Sequence, residues 1–120
     1  MRVEINPDWP EEIQLLAGEN WQSRERESIS STGFVVHTLE AALWAVDTTD
    51  CFAAAVLKAV NLGDDADSVG AVAGQLAGAR YGFGEIPTNW RDALIDGDRI
   101  ANIAQSLFEA SEITSSDISA

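Results

Sequence analysis

The segment Gly63-Asp64-Asp65-Ala66-Asp67-Ser68 gathers three carboxylates and a hydroxyl into six residues, directly ahead of a glycine-rich stretch. Hard oxygen donors set this close suit Mg²⁺, Mn²⁺ or Ca²⁺. Alternate residues of a turn can face one ion, so Asp65 and Asp67 could bind it jointly while Ser68 adds a neutral oxygen. An EF-hand is excluded, because that loop needs ligands spread over about 12 residues and a bidentate Glu at its end. This turn runs instead straight into Gly and Ala. The same residues have a second use: aspartates at a helix start cap its free N–H groups and complement its dipole. Spacing alone leaves both uses open.

The elements that must hold this turn read as helices. Thr38 precedes Leu39, Ala42, Leu43 and Val46, which predicts a helix from about Leu39 to Val46 with a hydroxyl cap in front. Thr48-Thr49-Asp50 restarts the pattern. Phe52, Ala53, Val56, Leu57 and Val60 then form a second apolar face, ended by Asn61-Leu62-Gly63. A third helix, opened by Asp67 or Ser68, carries Val69, Val72, Leu76 and Tyr81 among small residues. Gly70, Gly74, Gly78 and Gly82 recur along it every four residues. Each interior glycine costs roughly 0.5–1 kcal/mol against alanine. The row therefore predicts close helix–helix approach and a central, tightly surrounded position. Membrane dimerisation by such a row is excluded by the acidic flank and by Gln75 and Arg80.

Upstream, Asp8 can cap a short helix with Pro10 in its first turn, Glu11 as the capping-box acid and Gly18 as its stop. Its apolar face is Ile13, Leu15 and Leu16, and residues 19–31, with Arg24-Glu25-Arg26-Glu27, read as a polar loop. Downstream, Pro87-Thr88-Asn89-Trp90 opens another short helix. Asp98 caps a last one with Ile100, Ile103, Ala104 and Leu107 on one side, and Ser111 onward has little to bury. Gly33-Phe34-Val35-Val36 is a candidate extended piece, but no alternating run is long enough for a sheet. The expected fold is all-α, a compact bundle of about five helices. Its expected divisions are 1–31 (helix and polar loop), 32–110 (helical domain) and 111–120 (flexible tail).

The chain's 120 residues suffice for one domain, and 46% hydrophobic with 22% charged residues are globular values. Its 20 Asp and Glu against 7 Lys and Arg leave a formal charge of −13, which repels phosphate backbones and anionic membranes, so nucleic-acid partners are disfavoured. Apolar stretches are broken by Glu40, Asp47, Asp50 and Lys58, short of the ~20 residues a bilayer span needs. Met1-Arg2-Val3-Glu4-Ile5 lacks an apolar signal core, and Cys51 has no second cysteine to pair with. Those features favour a reducing, cytoplasmic setting. A saline habitat is another source of such acidity.

The run Ser31-Thr32-Gly33-Phe34-Val35-Val36-His37-Thr38-Leu39-Glu40-Ala41-Ala42-Leu43-Trp44, followed by Ala59 to Gly82 with its acidic turn and glycine helix, resembles the ADP-ribosylglycohydrolase family. The similarity spans roughly Thr32 to Phe108, with Ile86-Pro87 and Trp90 included, and looks like the carboxy-terminal part of dinitrogenase reductase-activating glycohydrolases. The resemblance implies an all-α fold and metal-assisted hydrolysis of the bond joining ADP-ribose to a side chain, with two Mg²⁺ or Mn²⁺ ions. Ions of that kind hold the ribose hydroxyls and activate water for attack at the anomeric carbon. The family's Asp-x-Asp-Ser/Thr ligand motif maps onto Asp65, Asp67 and Ser68, with Asp64 as their supporting neighbour. The Gly33-Phe34 stretch is similar to a loop near the substrate, which implies that Phe34 stacks on ADP-ribose with His37 close by. Residue chemistry alone offers plainer uses: Phe34 as core, His37 as a structural histidine, Trp44 and Trp90 as packing, Cys51 as an inert thiol.

Family members are much longer, and the resemblance implies further metal ligands from a Gly-Asp and a Thr/Ser-Asp-Asp motif. Neither motif stands upstream of the acidic turn, where the family's amino-terminal half carries them; Thr48-Thr49-Asp50 comes nearest, but Cys51 stands where the second acid belongs. About half a site is therefore expected, with weak or partner-dependent Mg²⁺ or Mn²⁺ binding and no nameable general acid or base. Two arrangements follow. In one, a complementary chain supplies the missing half and hydrolysis depends on it. In the other, the chain is a non-enzymatic helical module, homodimeric through its former core and able to take a ligand of ADP-ribose type. Met1 and the polar tail fit an independent reading frame somewhat better than a truncated piece of a longer protein.

Overall fold

The computed structural model describes residues 6–18, 20–29 and 35–118. The acidic turn is held by three helices: α2 (Val35–Asp47), α3 (Phe52–Val60) and α4 (Ala66–Tyr81). Their contact surfaces are built from small side chains. Ala41, Ala42 and Ala45 of α2, Ala55 and Ala59 of α3, and Ala73 and Ala77 of α4 are fully buried. Alanine at four-residue spacing puts one thin stripe on one helix face, so backbones approach closely. Trp44, Val46, Phe52 and Val69 fill the remaining volume.

The relative direction of the three helices follows from their contacts. Val60, at the end of α3, lies against Gly70 near the start of α4, whereas Phe52 at the start of α3 lies against Gly78. The helices α3 and α4 are thus antiparallel. At the far end of α4, the Tyr81 hydroxyl donates to the Thr49 carbonyl (3.1 Å) and Arg80 Nη1 to that of Val46 (3.4 Å), just where α2 ends. Consequently α2 and α4 run parallel, with their starts at one end of the unit.

Residues before α2 brace this core. Helix α1 (Glu11–Ala17) buries Leu16, and two 3₁₀ turns follow, Trp21–Ser23 and Arg26–Ser28. The stretch expected as a polar loop contains Trp21, only 3% exposed, and buried Ile29. Trp44 Nε1 donates to the Arg24 carbonyl (3.1 Å), and Arg26 Nη2 reaches the Asn61 carbonyl (2.7 Å) beside the acidic turn.

Several expected boundaries move. Helix α2 begins at Val35 rather than Leu39, so Thr38 is a buried helical residue and not a cap, and Val35-Val36 are helical rather than extended. The apolar Val-Val pair extends the helix backward, and packing outweighs the local cap signal. Pro10, not Asp8, takes the cap position of α1, where Gln14 Nε2 donates back to the Trp9 carbonyl (2.7 Å). Helix α4 starts at Ala66, ahead of the expected Asp67 or Ser68. Nor is α4 surrounded: Ala71, Gln75 and Ala79 are exposed. Of its glycines, Gly70 alone meets tight packing, since an added Cβ would fall 2.7 Å from Val60 Cγ1, while Gly74 has nothing within 4 Å.

The chain divides into units Met1–Ile86 and Pro87–Ala120. The second unit, by itself, contains α5 (Thr88–Ala93) and α6 (Gly97–Ile118). Asp98 lies in the first turn of α6 rather than capping it, and the helix runs to Ile118. Among the described residues there are six α-helices and no strand. None of those helices is long and apolar enough to cross a membrane.

Candidate functional site

At the start of α4 the chain turns sharply. Gly63 (φ 84°) and Asp64 (φ 51°) both adopt left-handed backbone, which glycine takes freely and an L-residue takes at a cost that Asp and Asn bear best. The turn delivers Asp65 to the cap position of α4, yet its side chain makes no capping hydrogen bond. It lies instead beside the Asp67 carboxyl. Asp67 Oδ1 also accepts from the Ser68 backbone N–H (2.9 Å). The neighbouring Asp65 carboxyl and then the Ser68 N–H hold the Asp67 carboxyl below the ordinary aspartate value.

Two of the expected ligands, Asp65 and Asp67, are thus side by side, with Ser68 next to them on an exposed surface. Among the described residues none of Asp64, Asp65 and Asp67 has an ion-pair partner; the ion pairs are Arg24–Glu40 (3.5 Å) and Arg80–Asp47 (3.8 Å). The acid turn lies at the positive end of the α4 dipole. Asp64 is exposed and points the turn, by its backbone, toward α4.

The other expected site residues divide. Phe34 lies outside the described residues. His37 is half-buried in the first turn of α2, and the parallel course of α2 and α4 brings it to the same end of the unit as the acidic turn. Among the described residues no cluster of three or more His, Cys, Asp or Glu side chains converges on one point. The donor set fits one side of a divalent-ion shell: two carboxylates and a hydroxyl against the six or more oxygens that Mg²⁺ and Ca²⁺ take. Cys51 is exposed and accepts from the Ala54 N–H (3.4 Å), making it the cap of α3.

Sequence reasoning passed over the residues that tie the end of α2 to its neighbours. Lys58 Nζ donates to Thr48 Oγ1 (2.7 Å) and stands 4.3 Å from the centre of the Trp44 ring. Thr48 and Thr49 hydroxyls return hydrogen bonds of 2.6 Å to the Trp44 and Ala45 carbonyls, closing the end of α2. Gln22 Nε2 adds a bond to the Asp47 carbonyl. Lysine, threonine and arginine in a polar stretch look like solvent-facing residues, because their partners lie on other elements.

A family model for ADP-ribosylglycohydrolases matches residues 4–116. The chain belongs to the ADP-ribosylglycohydrolase family. The match extends beyond Thr32–Phe108 on both sides, so α1, the two 3₁₀ turns and most of α6 are also family sequence. The chain is 50% identical over 99 residues to the ADP-ribosylarginine hydrolase Tri1 of Serratia proteamaculans (strain 568), covering 82% of this chain and 27% of that protein. It is 48% identical over 100 residues to the enzyme of the same name from Pseudomonas putida (strain GB-1), covering 83% and 27%. Against the ADP-ribosyl-[dinitrogen reductase] glycohydrolase of Rhodospirillum rubrum it is 42% identical over 64 residues, covering 53% and 22%. The chain thus matches about a quarter of the length of these curated glycohydrolases.

Proposed function

We propose that this chain carries one side of a divalent-metal site for hydrolysing ADP-ribosyl bonds, and that a complementary polypeptide of the same family supplies the rest. Asp65 and Asp67 would hold Mg²⁺ or Mn²⁺ through their carboxylates, Ser68 would add a hydroxyl oxygen, and Asp64 would raise the local negative potential. The observation that carries this reading is the nearness of the Asp65 and Asp67 carboxyls, with Asp65 making no cap bond to α4. A divalent cation is attracted to two neighbouring carboxylates at once. With three protein oxygens the remaining coordination positions fall to water, so binding by this chain alone is weak. When bound, the metal supplies a Lewis acid that orients ribose hydroxyls and lowers the pKa of water. His37 and the segment containing Phe34 would line the approach for the ADP-ribose moiety.

The names of the relatives suggest ADP-ribosyl-arginine as the substrate to try. The test pairs this chain with the part of the Serratia relative that lies outside the 99 matched residues, in the presence of Mn²⁺. Release of ADP-ribose by the mixture, absent from either component and abolished by Asp67→Asn, supports the reading. A mixture that assembles and binds Mn²⁺ yet releases nothing overturns it.

A second reading, a non-enzymatic homodimeric binding module, is favoured by a separate observation. In the unit Pro87–Ala120 no described side chain is buried, while Ile100, Ile103 and Leu107 of α6 are each at least half exposed. Apolar strips of this kind drive association. Sedimentation velocity with and without Mn²⁺ separates the two: a metal-independent dimer supports the module, and a monomer that pairs only with the complementary part supports the split hydrolase.

A further inference from the structure

We draw no further inference here: the strongest candidate, the apolar strip of Ile100, Ile103 and Leu107 beside the open groove of α6, carries nothing beyond the second reading above, because nothing in the structure shows what covers it.

Discussion

Asp67 is the residue on which the site reading turns. Its carboxyl is held below the ordinary value of 3.8 by Asp65 and by the Ser68 N–H. A lowered folded value means that Asp67 contributes stability above pH 3.8, and that this contribution is lost as the pH falls through the lowered value. Because the side chain is exposed the contribution is small. Asp67→Asn should therefore unfold at a slightly lower temperature than the wild type at neutral pH, and the difference should vanish in acid once Asp67 is protonated. The same variant should lose Mn²⁺ affinity by about tenfold or more, about 1.4 kcal/mol, with its helical circular dichroism intact. Retained affinity in calorimetric titration would remove Asp67 from the ligand set. Cys51 makes a second prediction. Serine caps helices better than most residues, and a cap hydrogen bond is worth about 1 kcal/mol. Sulfur is a weak acceptor, and here it sits 3.4 Å from the Ala54 nitrogen. Cys51→Ser should raise the melting temperature by a few degrees; a fall would show that the larger sulfur is needed for packing.

Among the helices, α4 gives the sharpest contrast, because two glycines of one row face different surroundings. Gly70→Ala would place a methyl 2.7 Å from Val60 Cγ1. Valine is β-branched and stiff, so the clash is relieved only by helix displacement, costing about 1–3 kcal/mol. Gly74→Ala meets nothing within 4 Å and should stabilise by about 0.5–1 kcal/mol through helix propensity. Urea denaturation of the two variants should give opposite signs. Equal signs would mean that the α3–α4 contact differs from the one described. A row of small residues thus has one structural use at its first position and none at its second, a distinction invisible in the spacing. The helix types themselves were readable. Phe52–Val60 falls where its apolar period and Gly63 place it, and α4 lies within one residue of the expected opening. The start of α2 was misread because Thr38 looks like a cap when only neighbours along the chain are considered.

For the chain as a whole, charge and coverage set the behaviour. The chain matches about a quarter of its relatives' length and exposes Ile100, Ile103 and Leu107 on α6, and its charge of −13 opposes association with an equally acidic copy. Screening weakens that repulsion, with a Debye length of about 10 Å at 0.1 M salt. If copies pair through α6, raising NaCl should strengthen the dimer in sedimentation, and Leu107→Lys should abolish it without altering the α2–α4 core. Dissociation on adding salt would point to a polar, charge-paired contact instead. On the proposed reading, release of ADP-ribose should track the complementary part and Mn²⁺, not the state of α6.

Family membership, helical class and the Asp65-Asp67-Ser68 motif are local properties, carried by residue type and short spacing, and reading the chain sufficed for them. The nearness of Asp65 to Asp67, the end shared by His37 and the acidic turn, the bracing of α2 by Trp21 and Arg24, and the bond from Arg26 to Asn61 past α3 required the tertiary structure. Each of these depends on how helices cross or how a turn aims its side chains. Sequence separation hides both, because contacts between elements are decided by the packing energy of the whole assembly and not by any single segment's preference.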